Sequence, residues 1–165
     1  MKTRIKNTKA HVLKGLNPDK NTGKCFQADT HVWYPLWEYV YHTCDIFLSE
    51  IQIRDIVRND GKAVIQIDKG TAQRVGYRLE KLLTEGQTKK YEEDFKESIR
   101  KLPDEYCGFC QGIGKRNPGK GLPVKCFACA GRGMKKNIMS RLRFNTKGVQ
   151  NFAEFLIHSG GVEIL

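Results

Sequence analysis

The chain has 165 residues, a formal net charge of +11 and 39% hydrophobic residues, which is enough apolar material for one modest core. No apolar run reaches the roughly 18 residues of a transmembrane helix, so no transmembrane helix is expected. The basic N-terminus lacks the apolar stretch of a secretory signal, so we expect a cytoplasmic protein whose six cysteines do not form a disulfide framework.

The N-terminal third is predicted to hold a flexible arm followed by a helix. Residues 1–30 contain few apolar side chains and no periodicity, which is typical of a flexible basic arm. A helical body is predicted over residues 31–105, and its first helix begins near Pro35. The apolar positions with helical spacing are Trp37, Val40, Tyr41, Cys44, Phe47 and Leu48. Residues 49–67 are ambiguous, with a turn at "NDG" and a short strand in "AVIQI".

Three further helices are predicted. Asp68 is expected to cap a helix that ends at Gly86, and Thr88 is expected to cap a helix that Pro103 stops. Residues 135–165 are predicted to form a C-terminal helix and a tail, both of which pack on the body. Thr146 is expected to cap this helix, and "VEIL" is expected to form an edge strand. The expected fold class is mainly α, with α+β as the alternative: a small helical body with an inserted zinc-knuckle module.

Two octets, "CGFCQGIG" from Cys107 and "CFACAGRG" from Cys126, share the pattern C-x-x-C-x-G-x-G. Each C-x-x-C turn places two sulfurs on one side of a tight knuckle. Zinc prefers four tetrahedral ligands, so a module over residues 106–134 is predicted to bind one Zn²⁺. The predicted ligands are Cys107, Cys110, Cys126 and Cys129. The glycines that let the backbone turn, and whose N–H groups are expected to reach the sulfurs, are Gly112, Gly114, Gly131 and Gly133.

The alternative for these four cysteines is a pair of redox-active dithiols. Zinc is favoured because a redox-active dithiol requires only a pair of cysteines, whereas this sequence repeats both the cysteine spacing and the glycine positions. Four thiolates leave no coordination position for water, so we expect a structural metal rather than a catalytic one. The sequence shows no nucleophile–base pair, phosphate-binding loop or convincing carboxylate pair, and we expect a protein that is not an enzyme.

The octets resemble the cysteine-rich zinc domain of the DnaJ chaperones, whose signature is C-x-x-C-x-G-x-G. That family carries four octets and two zinc ions, so two octets imply one zinc ion. The resemblance covers residues 107–133, and the His-Pro-Asp tripeptide of the J-domain does not occur in the sequence, so a metal site is implied rather than chaperone activity. Similar single-zinc pairs occur in small regulators such as anti-TRAP, where the metal holds a protein-binding fold. The remainder resembles small bacterial and bacteriophage proteins in "PLWEYV", "NDG" and "FAEFLIHSGGVEIL", which implies no activity.

Positive charge is concentrated in two segments. Residues 1–24 and 111–143 together carry a net charge of +15, the rest of the chain carries −4, and 111–143 contains no acidic residue. A zinc–tetrathiolate centre has a charge of about −2, whereas 111–143 holds nine cations, so the excess predicts a surface that faces phosphates. The candidate phosphate-binding residues are Lys115, Arg116, Lys120, Lys125, Arg132, Lys135 and Lys136. Basic surfaces also serve solubility or acidic protein partners.

The remaining candidates are interpreted as structural. The aromatic group Trp33, Tyr34, Trp37 and Tyr41 is expected in the core, with a stacking platform for bases as the alternative. Cys44 is also expected in the core, Cys25 is expected to be a free thiol, and no histidine is expected to bind metal. We therefore expect a zinc-binding accessory protein that contacts nucleic acid through its zinc module and N-terminal arm. The alternative is a protein-binding adaptor, regulator or chaperone-like module. We expect no membrane partner and no small-molecule substrate.

Overall fold

The structure, a computed structural model, describes residues 10–48, 65–117, 119 and 121–164. The chain forms two compact units: the first unit comprises the residues up to Lys96 and those from Leu142, and the second unit is Glu97–Arg141. The described chain is mainly helical with a small sheet fraction, as the sequence predicts. None of its helices is long and apolar enough to cross a membrane.

The described residues contain four α-helices and eight short strands. The helices are α1 (Thr30–Cys44), α2 (Lys69–Thr84), α3 (Gln87–Arg100) and α4 (Thr146–His158). The strands are β1 (Ala10–Gly15), β2 (Cys25–Asp29), β3 (Ile65–Ile67), β4 (Glu105–Tyr106), β5 (Lys115–Arg116), β6 (Val124–Lys125), β7 (Met134–Lys135) and β8 (Val162–Ile164).

The first unit contains an antiparallel sheet in the order β2-β1-β8-β3. The strands β1 and β2 lie within the predicted flexible arm, where the sequence shows no periodicity. They are ordered by pairing and by burial, because β1 pairs with β8 at the other end of the chain and Leu13 is fully buried. The same pairing corrects the prediction for "VEIL": β8 lies inside the sheet, between β1 and β3, and not at its edge. Residues 1–9 and the predicted "NDG" turn lie outside the described residues.

Helices α1, α2 and α4 pack against one another, and α1 and α4 also contact the β1–β2 hairpin. Their shared interior is aromatic and aliphatic: Trp33 stacks on Trp37 at 5.4 Å between ring centroids, and Phe152 meets the Trp33 ring edge-on at 5.9 Å. Leu79 of α2 is fully buried in the same core. The prediction of a core role for both tryptophans is confirmed, whereas Tyr34 and Tyr41 are exposed.

The helix ends follow capping rules, with three differences from the sequence prediction. Asp68 accepts a hydrogen bond from the Thr71 N–H at 3.0 Å, which confirms it as the cap of α2. Helix α1 begins before Pro35, because Asp29 accepts from the His31 N–H at 2.8 Å. Thr88 does not cap α3, and it lies buried where its hydroxyl meets the Tyr39 hydroxyl at 2.8 Å. The cap of α4 is not Thr146 but the preceding residue, Asn145.

Candidate metal centre

The second unit contains two hairpin-like knuckles, one from each octet, that are joined by backbone hydrogen bonds. The Cys107 N–H donates to the Gly133 carbonyl at 2.8 Å, and the Cys126 N–H donates to the Gly114 carbonyl at 2.8 Å. Each octet therefore bonds from its first cysteine to the last glycine of the other octet. The reciprocal bonds place the two knuckles in equivalent positions around one centre.

This arrangement brings together the four predicted cysteines. Their sulfurs all lie within 4.8 Å of one another, and all four residues are buried. The Cys107 and Cys126 sulfurs are 3.9 Å apart, and the Cys110 and Cys129 sulfurs are 3.8 Å apart. Tetrahedral zinc with Zn–S bonds of about 2.3 Å requires sulfurs about 3.8 Å apart. The four cysteines are thus positioned to hold one metal ion.

Backbone N–H groups support the second sulfur of each knuckle in the same way. The Gly114 N–H donates to the Cys110 sulfur at 3.2 Å, and the Gly133 N–H donates to the Cys129 sulfur at 3.2 Å. Both contacts were expected from the glycine pattern. They place positive dipole ends against the sulfurs, which stabilises thiolate over thiol.

The last glycine of each octet is required by close approach of the two knuckles. A β-carbon on Gly114 would lie 2.3 Å from the Gly131 carbonyl oxygen, and both residues have positive φ, 74° and 82°. The close approach of Gly133 to Gly112 is the equivalent contact made by the last glycine of the second octet. No side chain fits at such a distance, so the glycines set how closely the sulfurs approach.

The buried thiols differ in pKa. Burial raises the pKa of Cys107, but the Phe109 and Cys110 N–H groups and the neighbouring thiols outweigh burial and lower it to about 7. Burial, together with the other thiols, raises the pKa of Cys110 to about 11. Backbone N–H groups thus favour the thiolate form at Cys107, whereas burial and the other thiols oppose it at Cys110. A bound divalent cation would make all four thiolates favourable and supply a rigid cross-link between the knuckles.

Most of the predicted phosphate-binding residues lie on the surface of the second unit. Lys115 and Lys125 are directly opposite each other in the two-stranded β5–β6 ribbon, and Arg116 is opposite Val124. Arg132, Lys136 and these three basic side chains are exposed. Lys135 differs because it is half-buried and pairs with Glu105 across β4–β7. Lys120 lies outside the described residues.

The structure also brings together two aromatic residues that the sequence analysis did not single out. Phe109 and Phe127 are 4.8 Å apart between ring centroids, in an edge-to-face contact. The Arg116 guanidinium carbon lies 4.4 Å from the Phe109 ring centroid and 5.7 Å from that of Phe127. The repeat does not indicate this pair, because the two phenylalanines occupy different positions in it: Phe109 is the third residue of its octet and Phe127 is the second residue of its octet.

The other candidates lie away from the four sulfurs. Cys44 is buried in the first unit and Cys25 is an exposed free thiol, as expected. Among the described residues, the four cysteines are the only group of three or more metal-binding side chains close enough to share an ion. No histidine belongs to that group.

The chain matches no protein-family model, no curated protein and no solved structure. A functional conclusion therefore depends on the chemistry of the site itself.

Proposed function

We propose that this chain is a zinc-binding accessory protein, not an enzyme, that contacts nucleic acid phosphates through the β5–β6 ribbon. Zinc is the proposed metal because four cysteine sulfurs within 4.8 Å of one another match its preference for four thiolate ligands. The likeness of the two octets to the DnaJ zinc domain also supports zinc as the metal. We do not propose chaperone activity from this likeness. The likeness of the remaining residues to small bacterial and bacteriophage proteins adds no activity either. Reduced thiols also favour a cytoplasmic location.

The observation that carries nucleic-acid binding is the pairing of Lys115 with Lys125. Like charges directly opposite each other on a β-ribbon destabilise it. No acidic residue occurs between positions 111 and 143, and none of the cations described in 105–141 forms an ion pair. A phosphate group near both ammonium groups would remove this repulsion.

The remaining predicted cations contribute unequally to this proposal. Arg132 and Lys136 are exposed and extend the positive surface of the second unit. Lys135 is half-buried and lies opposite Glu105 in the β4–β7 register, so we assign it a structural role rather than a phosphate contact. The arm residues 1–9 carry four cations that we propose as additional phosphate contacts.

A second candidate function is a protein-binding adaptor. It is favoured by the large apolar side chains that the second unit exposes. These residues are Tyr106, Phe109, Ile113, Leu122, Val124, Phe127, Ile138 and Met139. A protein partner would cover this apolar surface, and its affinity would depend less on salt than binding to a polyanion.

Salt dependence of binding tests the proposal. Fluorescence anisotropy with a labelled mixed-sequence DNA duplex should give a log affinity that falls linearly with log salt, with a slope of about −4.5 to −5.4 for five or six phosphate contacts. The double variant Lys115→Gln/Lys125→Gln should reduce the magnitude of this slope by about 2. Zinc content should stay unchanged, because neither lysine is a ligand.

The matched control is Lys89→Gln/Lys90→Gln, which removes two exposed lysines from α3 in the first unit. It should leave the slope unchanged. A dissociation constant weaker than about 0.1 mM at physiological salt, or an equal effect of both double variants, would contradict the proposal and favour the adaptor.

A further inference from the structure

The second unit exposes an aromatic pair that its own folding does not explain. Phe109 is 52% exposed and Phe127 is 72% exposed, although each is part of a C-x-x-C turn. The buried interior of the second unit consists of the four cysteines, with the partly buried Ala128 packed against them. Neither phenylalanine belongs to this buried group, and the two rings contact each other at the surface.

Arg116 gives this pair a cationic partner. Its guanidinium lies over the Phe109 ring and near the Phe127 ring, at 4.4 and 5.7 Å from their centroids. A planar guanidinium beside exposed rings is a surface on which flat aromatic groups stack well. Arg116 comes from the same ribbon as Lys115 and Lys125, so one short structural element supplies both aromatic contact and positive charge.

The two faces of the β5–β6 ribbon differ in chemistry. Side chains alternate along a strand, so Arg116 lies on the opposite face from the paired lysines. The ribbon is two residues long, about 7 Å, and lysine ammonium groups move on flexible stems. A polymer segment of a few units can therefore contact the aromatic pair and the lysines together.

A single-stranded nucleic acid has both of the required groups. Its unpaired bases expose flat π-faces and its phosphates carry regular negative charge, whereas a duplex hides the base faces within the stack. We propose that Phe109, Phe127 and Arg116 form a stacking surface for the bases of single-stranded nucleic acid. This inference rests on the proposed nucleic-acid function and adds to it a contact with unpaired bases that only single strands offer.

The test uses the full-length zinc-bound protein and two probes in fluorescence anisotropy: an oligothymidylate of about 12 nucleotides and a mixed-sequence duplex of similar length. The double variant Phe109→Leu/Phe127→Leu should weaken binding of the single strand by about tenfold or more. Duplex binding should change by less than about twofold, because phosphate contacts dominate there. The matched control is Leu122→Ala, which removes an exposed apolar side chain without a ring and should leave both affinities unchanged.

A second variant keeps the test decisive if the leucine variant loses zinc. Phe127→Trp retains a ring, and Trp33 and Trp37 contribute only a buried background to the fluorescence. Saturating oligothymidylate should quench the exposed indole of this variant, while the duplex should not. Binding of oligothymidylate without quenching would overturn the stacking surface.

The outcomes separate this inference from the proposed function. If the leucine variant keeps zinc and binds single strands as the wild type does, the stacking surface is wrong, while salt-dependent duplex binding still supports the proposed function. Equal losses for single strand and duplex also overturn it. If the wild type binds neither probe, both proposals fail and the protein-binding adaptor is favoured.

Discussion

Gly133 packs so closely against Gly112 that a β-carbon on Gly133 would lie 2.1 Å from the Gly112 carbonyl oxygen. Gly133 also has a φ of 75°, in the left-handed region that favours glycine. Its N–H donates to the Cys129 sulfur, and its carbonyl accepts from the Cys107 N–H. One residue thus forms hydrogen bonds with a cysteine from each knuckle, and the space available to it sets the distance between the knuckles.

The first prediction is that Gly133→Ala weakens metal binding. An alanine must either push the Gly112 carbonyl away or leave its backbone conformation, and both displace the Cys129 sulfur. A strain of about 1 to 3 kcal/mol corresponds to a loss of zinc affinity of about 5-fold to 150-fold. Competition with a chromophoric zinc chelator measures this change.

Gly108→Ala is the matched control for that substitution. Gly108 lies in the first C-x-x-C turn, but a β-carbon there meets no atom within 4 Å. Zinc affinity should change by less than about twofold. Equal losses for the two variants would show that general knuckle flexibility, rather than the close contact with Gly112, controls binding.

The sequence predicts the four-cysteine cluster well because the cysteines of each pair are close in the chain and the pattern is repeated. Cys107 and Cys110 belong to one turn, and the second octet repeats it. Helix α2 was also predictable, because Asp68 marks its start and Gly86 follows its end. Both are local signals, in which neighbouring residues determine the structure.

Long-range relationships were not predictable in this way. Leu13 joins the core because β1 pairs with β8, whose residues lie at the opposite end of the chain. Thr88 resembles a helix cap in the sequence, yet its hydroxyl is engaged by Tyr39 of another helix. Phe109 and Phe127 meet only because the knuckles fold around one centre. In each case the partner is set by tertiary packing and not by local sequence.

The second prediction concerns pH. Burial raises the pKa of Glu92, but the Lys96 ammonium and hydrogen bonds from the Thr146 N–H and hydroxyl outweigh it and hold the pKa below its usual value. A folded-state pKa below the unfolded value stabilises the fold above about pH 4.3, and this contribution is lost as the pH falls through the folded value. Glu92 also places negative charge at the N-terminus of α4.

Glu92→Gln should therefore lower the unfolding free energy by about 1 kcal/mol at neutral pH. The difference from the wild type should shrink as the pH falls below about 4.3. Urea unfolding monitored by tryptophan fluorescence measures both effects, since both tryptophans lie in the first unit. Glu93→Gln is the control, because Glu93 is exposed on the same helix. A difference that persists unchanged at low pH would show that the charge of Glu92 is not responsible.

The third prediction concerns metal removal. The four cysteines are the buried interior of the second unit, with Ala128 packed against them, whereas the core cluster of the first unit includes no residue from 97–141. The metal would replace a hydrophobic core in the second unit, so removing a ligand should unfold that unit and leave the first intact. The wild type should bind one zinc ion per chain, and Cys126→Ser well below one.

Elemental analysis measures the zinc, and far-UV circular dichroism measures the helices. Cys25→Ser is the control, because Cys25 is an exposed thiol of the first unit and should leave one zinc ion bound. The helical signal of Cys126→Ser should remain close to that of the wild type, since α1, α2 and α4 are buried around Leu79 and Phe152. Two zinc ions per wild-type chain would contradict the four-thiolate site. A complete loss of helical signal in Cys126→Ser would show instead that the first unit cannot hold its fold without the metal.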